Sequence, residues 1–500
     1  MKKKILQIGI PLLVIILVII VILTRGGQKR HTVNSPRDLP GSTIGVQLGT
    51  TGDLKASVFE NDKAGTRIER YTKTADAIQA LGEGKIDCVI DDEEPAKAFV
   101  AENSNLKILP GEFSTEEYAF CVARNNVKLA TQINEALRRL QNSGALDTII
   151  DRHLHDHLSV AWQKKAIGRR NGTLVVATNA TFPPYEYYDN GRICGIDIDV
   201  MQAVADDLGM KLNVEDMDFE AVITSVQTGK ADVGASALTV TKDRARNVLF
   251  TIPYTRCRQV IIVRDGNLAA HKQSLSDKFK ANFITEHRYI YLLQGLGNTL
   301  VITFFAMILS LVLGSLIAIV RTSHDRNGGL GILNALCRLY LTVIRGTPTM
   351  VQLLIIYYVV FASANVSKVF VAIIAFGLNS AAYLAEVVRS GIMSVDRGQM
   401  EAGRSLGLSY TQTMRYILLP QAFKNVLPAM GNELITLLKE TSISGYIGLV
   451  DLTKGSDIIR SITYDALMPL GVVALIYLVI VMALSAGVNR LEKNMRKNER

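Results

Sequence analysis

Arg244, in the stretch "SALTVTKDRAR" (residues 236–246), offers a planar fork of donors that suits a carboxylate. Far upstream, "VQLGTTGD" (46–53) sets Thr50 and Thr51 at the start of a helix, where free backbone N–H groups suit an anion. Each has a plainer reading when taken singly: a lone arginine is commonly solvated or ion-paired, and Thr-Thr-Gly-Asp is often only a helix cap. A third stretch, "HLHDH", gathers His153, His155 and His157. Histidines two apart at a helix end point to different faces, so a polar helix terminus is favoured over a metal site. No G-x-x-x-x-G-K-[ST] occurs, so the phosphate-cradling loop of an ATPase is missing, and no nucleophile–base constellation marks an enzyme. Capture of a small ligand is the chemistry these residues offer.

The elements that position them divide the chain in two. Residues 27–290 are polar and punctuated by Gly and Pro, whereas 291–490 hold long apolar runs with the charges gathered between them. "MKKKILQIGIPLLVIILVIIVILT" (1–24) places three lysines before about twenty apolar residues, enough to cross a bilayer. Its end, "LTRGG", lacks a small-residue cleavage site, which favours an uncleaved anchor over a signal peptide, with Lys2, Lys3 and Lys4 inside. Five further spans are expected near 295–320, 338–361, 367–390, 425–449 and 466–488. That count puts 321–337, 391–424 and the tail on the cytoplasmic side of the cell membrane, where "RTSHDR" and "NRLEKNMRKNER" supply the basic residues that orientation requires. The net charge of +9 is therefore a topology signal and no pointer to nucleic acid. Five cysteines without C-x-x-C spacing favour buried free thiols over a disulfide framework.

The polar half repeats one design. "DAIQALGEGKIDCVID" (76–91) and "AVITSVQTGKADVGAS" (221–236) each read as an amphipathic helix, Gly-Lys-x-Asp, then a buried strand, with Gly84 and Gly229 as helix C-caps. Two such α/β lobes suggest a clamshell closing about a hinge. Residues 172–263, with "GTLVVATNATFPPYEYYDNGRICGIDIDVMQAVADDLG", resemble the first lobe of a polar amino-acid binding protein of an ABC uptake system. Residues 36–152, with "DLPGSTIGVQLGTTGD", "VIDDEEPAKAFV" and "TQINEALRRLQNSGALDTII", resemble its second lobe and closing helices. The family order is reversed and the blocks complement each other. One circularly permuted clamshell, remnants of two domains, and a rearranged gene all remain open, and non-overlap favours permutation.

The resemblance implies an amino-acid site shared by the lobes. It places the ligand carboxylate at Arg244, Thr239, the Ala237 backbone, Thr50 and Thr51, and the ammonium at Asp92. It sets Phe182 and Phe219 as sandwiching rings, with Asn179, Gln47 and Asp91 facing the ligand side chain. An amide beside an acid admits glutamine and equally a basic amino acid.

The apolar half carries "GQMEAGRSLGLSYTQTMRYILLP" (398–420), with Glu401-Ala402, then Gly407, then Ile417-x-Leu419-Pro420. This resembles the EAA loop of ABC importer permeases, whose companions "RGTPTMVQLL", "GLNSAAYLAEVVRSGI" and "LLKETSI" follow in family order. It departs at Gly403, where the family more often has Ala; the expectation is a looser helix. Glu386 and Arg389 are spaced to pair, and Glu433, Lys439, Glu440, Asn379 and Tyr383 are candidates for pathway lining.

The expected fold is thus a two-lobed periplasmic-binding-protein-like α/β clamshell plus an all-α transmembrane permease. Its divisions are an anchor (1–26), second lobe with closing helices (27–160), linker (161–171), first lobe (172–268), linker (269–290), five-span permease (291–490) and tail (491–500). The lobes are expected to be tethered separately, one to the anchor and the other to the permease. The resemblance implies a subunit of an amino-acid importer with no cofactor of its own, ATP being used by a cytoplasmic ABC ATPase partner. Five spans are few for a pathway, so a homodimer is expected. The rival is a clamshell-gated receptor or channel, against which the EAA-like loop and the missing TVGYG filter count.

Overall fold

The computed structural model describes residues 31–60, 62–154, 171–265, 274–362, 366–463, 465 and 467–497. The expected anchor 1–26, nearly all of the 161–171 linker, and His155 and His157 lie outside the described residues.

Two sheets carry the polar half. The second lobe orders β2 (Arg67–Tyr71), β1 (Thr43–Gln47), β3 (Cys88–Asp92), β14 (Thr255–Arg264) and β4 (Leu106–Ile108), with β5 (Ser114–Tyr118) also paired to β14. The first lobe orders β11 (Lys211–Asp216), β7 (Thr173–Thr178), β12 (Val233–Gly234), β6 (Cys121–Ala123) and β13 (Val248–Phe250). A small antiparallel sheet of β8 (Thr181–Phe182), β9 (Glu186–Asp189) and β10 (Arg192–Cys194) flanks the first lobe.

The repeated motif has one physical role in both lobes. Helix Thr74–Gly82 leads through Gly84 (φ +76°) to β3, parallel to β1, and helix Phe219–Gln227 leads through Gly229 (φ +73°) to β12, parallel to β7. The aspartate of each Gly-Lys-x-Asp then accepts from the neighbouring strand: Asp87 from Thr43 N–H (2.9 Å) and Asp232 from Val175 N–H (2.8 Å). Left-handed glycine ends the helix and the carboxylate fixes where the new strand meets the old one.

The lobes do not coincide with the two sequence blocks. The upstream block sends β6 and the helices Val127–Asn142 and Ala145–Leu154 into the first lobe, where Ile133, Leu137 and Leu146 pack on Leu174, Val176 and Val200. The downstream block sends β14 into the middle of the second lobe. There Val260, Ile261, Ile262 and Val263 are buried between β3 and β4. An apolar run of this kind fits only a strand covered on both faces. The expectation of separately tethered lobes is thereby overturned: residue 31 and Arg264, where the chain meets its flanking segments, both belong to the second lobe's side of the molecule.

In the apolar half, Tyr289–Asp325, Lys368–Met393 and Leu467–Met495 are long and apolar enough to cross a membrane. The span expected at 338–361 is broken: helices Gly331–Gly346 and Thr349–Val360 meet at 110°. Pro348 removes a donor and pushes Thr347 into extended geometry (φ −123°, ψ 148°), which no continuous helix accommodates. The span expected at 425–449 becomes helix Leu419–Glu440 followed by a 3-10 turn, Thr441–Ile447. With Lys424, Glu433, Lys439 and Glu440 along it, this stretch is not among the apolar candidates.

Candidate functional site

A narrow cavity lies between the two lobes, lined by Gln47, Thr50, Thr51, Asp92, Asn179, Phe182, Glu186, Phe219, Ser236, Ala237, Thr239 and Arg244. The strand ends and helix starts of both sheets deliver these side chains, the usual place for a ligand in α/β folds. Of the residues expected at the amino-acid site, Asp91 alone is not brought to it. Successive residues of β3 face opposite sides of the sheet, so Asp92 reaches the cavity and Asp91 does not.

Thr50 caps helix Thr51–Ala56 by accepting from Asp53 N–H. Arg244 stretches across the cleft: its guanidinium donates to Thr239 O (3.0 Å) on its own lobe and to Gly49 O (2.9 Å) on the other, and lies 5.4 Å from the centre of the Phe219 ring. Gln47 likewise spans the lobes, donating to Thr72 O (3.2 Å) and Asn179 Oδ1 (3.4 Å), while Thr74 donates to its side-chain oxygen (3.0 Å). Ala237 adopts φ +42°, and its N–H donates to Asp197 (2.9 Å), so a buried acid holds the first-lobe loop.

The cavity is rich in acids that lack full partners. Tyr118 donates to Asp92 Oδ2, leaving Oδ1 unpartnered, and Ser236 donates to Glu186 Oε1 (2.9 Å), leaving Oε2 unpartnered. Burial, followed by the nearby Glu116 charge, pushes the Asp92 carboxyl up to about 7. Burial and then the Asp197 charge hold Glu186 well above the ordinary carboxylate range. Arg244 is held below its usual value by burial.

Glu116, Glu186 and Ser236 were not singled out in the sequence. Glu116 sits where the lobes join and accepts from Thr51 (second lobe) and Thr239 (first lobe), while Lys55 pairs with its other oxygen at 2.6 Å. The alternation in "STEEY" places Glu116 and Tyr118 on the buried face of β5, which is the signal that could have found it. Ser236 is adjacent to Ala237, and Glu186 follows the buried Tyr185.

Elsewhere, His153 is buried and bonds Asp199 (2.9 Å), and no metal-ligating cluster occurs among the described residues. All five cysteines are free. The EAA-like segment forms a hairpin: helix Arg397–Ser405, a turn at Gly407 (φ +85°), then Tyr410–Thr413 running on toward helix Leu419–Glu440. Glu401, Ala402 and Leu406 are exposed, whereas Gly403 is buried. A Cβ at Gly403 would lie 2.5 Å from Thr413 Cγ2, so the glycine lets the two arms close tightly, contrary to the expected loosening. In the membrane part Glu386 pairs with Arg389 (3.0 Å) and Arg321, Asn379 donates to Gln352 (2.9 Å), and Ser380 to Glu433 (2.8 Å). Tyr383 is partly exposed, with the Arg345 guanidinium 5.5 Å from its ring.

Comparison with known proteins gives matches of two kinds. Residues 174–466 match the model of the bacterial extracellular solute-binding proteins, family 3. The arginine transport system permease protein ArtQ of Bacillus subtilis (strain 168) is 37% identical over 211 residues, 42% of this chain and 94% of the relative. The glutamine transport system permease protein GlnP of Escherichia coli (strain K12) is 36% identical over 208 residues, 41% of this chain and 93% of the relative. A crystal structure of an amino acid ABC transporter with histidines is 39% identical, covering 42% of this chain and 98% of that one, with a TM-score of 0.39.

Proposed function

We propose, for a chain that belongs to the bacterial extracellular solute-binding proteins, family 3, and that carries an amino-acid ABC permease, that its two blocks form one permuted clamshell which delivers a basic amino acid to that permease. The chain is a binding and permease component of an ABC amino-acid importer, a membrane protein whose ATP-hydrolysing subunit is separate. Exchange of β6 and β14 between the lobes supports the permuted clamshell, because neither block makes a complete sheet without the other's strand.

The observation that carries the ligand class is the pair of buried, unpartnered carboxylate oxygens, Asp92 Oδ1 and Glu186 Oε2, in a cavity that also holds Arg244. An unmatched buried acceptor costs free energy that a donor recovers. A ligand with one carboxylate and two cationic groups matches Arg244 and both acids; the α-ammonium would meet Asp92 and the side-chain cation Glu186. Glutamine is the second reading, favoured by the Gln47–Asn179 amide pair.

In this reading the clamshell lies outside the cell. The exposed Glu401, Ala402 and Leu406 face of the Gly407 hairpin docks on the ATPase. A second copy completes the pathway against exposed apolar helix faces such as Phe304, Val312, Leu475 and Val479. Tethering sets the clamshell's effective concentration at the permease on the order of mM.

Calorimetric titration of the detergent-solubilised full chain with arginine, lysine and glutamine tests the ligand class. Tight arginine or lysine binding is expected; binding of glutamine alone would replace this reading with the second. ATP-driven uptake into vesicles holding the chain and its ATPase tests delivery.

A further inference from the structure

Both lobes meet the permease on one short helix, Leu452–Thr463. Lys454, Asp457 and Arg460 are three apart and so share a face of it. Lys454 Nζ lies 3.1 Å from Asp216 and 3.9 Å from Asp218, at the end of β11 in the first lobe. Asp457 lies 3.5 Å from the buried Lys73 of the second lobe, and Arg460 pairs with Asp76 of the second lobe while also holding Asp457 (2.8 Å). A single row of plus, minus, plus is thus matched by two acids from one lobe and a plus and a minus from the other.

The partners of this row are coupled to the ligand cavity. Asp218 immediately precedes the cavity-lining Phe219, and Lys73 lies between Thr72 and Thr74, both hydrogen-bonded to Gln47. The helix also rests on helix Tyr289–Asn327 with close backbone approach at two glycines. A Cβ at Gly455 would fall 2.6 Å from Tyr291 O, and one at Gly295 would fall on Asp451 O, while Leu452 N–H donates to Thr299 (3.2 Å) and Asn298 to Val450 O (2.8 Å). Backbone packed against backbone leaves no slack, so a displacement of the short helix displaces the long one.

We propose that Leu452–Thr463 senses clamshell closure: Lys454 keeps the first lobe seated, and Asp457 and Arg460 gain their partners only when the second lobe swings in. The helix then passes that state to Tyr289–Asn327. This rests on the clamshell reading above. An opened second lobe would carry Lys73 and Asp76 away and leave Asp457 and Arg460 paired only with each other. Among the described residues these positions line neither the ligand cavity nor the Gly407 hairpin, so they are positioning residues.

The test uses the full chain and its ATPase in vesicles, with arginine and glutamine as probes. Asp457→Lys is expected to cut ligand-stimulated ATP hydrolysis by about tenfold while basal hydrolysis and ligand Kd stay within about threefold. Combining it with Lys73→Asp should restore stimulation, and the milder Asp76→Asn should lower it without a change in expression. Unchanged stimulation in Asp457→Lys, or a loss that Lys73→Asp does not recover, overturns the sensor. Failure of the unmodified chain to bind either probe would instead sink the clamshell reading.

Discussion

The two lobes are attached to the membrane part by opposite means. The second lobe holds both chain exits, and among the described residues it pairs with the permease through Lys73–Asp457 and Asp76–Arg460. The first lobe has no chain exit of its own and is docked by many contacts. Lys368 pairs with Glu215 at 2.5 Å, Lys454 with Asp216, and Lys230 reaches Phe361 O. Gly191 N–H donates to Tyr291 (2.9 Å), and Tyr188 packs edge-on to the same ring. Covalent connection therefore does not decide which lobe is fixed. Packed contacts restrain orientation as well as distance, so on the clamshell reading the first lobe is the seat and the second is the one expected to swing.

The largest test of this contrast asks whether both lobes hold the ligand. Arg244→Ala on the first lobe should weaken arginine binding by about 100-fold, and Asp92→Asn on the second by a similar factor, because each strands a buried charge of the ligand. Titration of the full chain reads both. Loss in Arg244→Ala alone would make the ligand a passenger of the first lobe and remove the reason for the second to close.

A smaller effect should come from unseating the first lobe. Gly448 has φ +68° and passes so close to Asp216 O that a Cβ would overlap it. Gly448→Ala must part the two surfaces, so uptake should fall by about tenfold while Kd stays within about twofold. Equal losses in both would mean that the seat and the ligand site are one unit.

The pH dependence separates the lobes again. Burial, then Glu116, lifts the Asp92 carboxyl to about 7. A cationic ligand needs the Asp92 carboxylate, so affinity should fall by about tenfold per pH unit below that midpoint. The empty protein shows the opposite sign. The neutral carboxyl's contribution to stability is fully present below its ordinary pKa of 3.8 and is lost as pH rises through about 7. Asp92→Asn should flatten the affinity profile.

Much of this was legible in the sequence because it is written in local patterns. The twice-used Gly-Lys-x-Asp unit announced two α/β lobes, and the positions on either side of the cleft were found because Arg244, Thr239, Thr51 and Asp92 sit in family register. What escaped depends on pairing at a distance. β14 is an apolar run whose sheet cannot be read from its own residues, so the route of the tether was misjudged. Asp91 and Asp92 differ only in strand phase, which a "DD" pair does not disclose. Glu116 looked like one more charge in an exposed strand, since its partners Thr51 and Thr239 lie 65 and 123 residues away. The break at Pro348 is visible as a residue, but its 110° angle is not.

Glu116 gives the finest test of how the lobes communicate. Its carboxylate takes one hydroxyl from each lobe, so it ties the cleft from the hinge side. Glu116→Gln keeps one acceptor and removes the charge. Two consequences then point the same way: the ligand carboxylate no longer competes with an internal one for the field of Arg244, and Asp92 loses the neighbour that helps hold its proton. Arginine affinity should rise by about threefold at pH below 7, and the affinity midpoint should move below 7. Lys55 loses its ion pair as well, but it is about a third exposed, at 36%, and solvent screens that loss. An unmoved midpoint would mean that Glu116 stitches the lobes together without setting the charge of the site. The tie between the lobes would then be mechanical only.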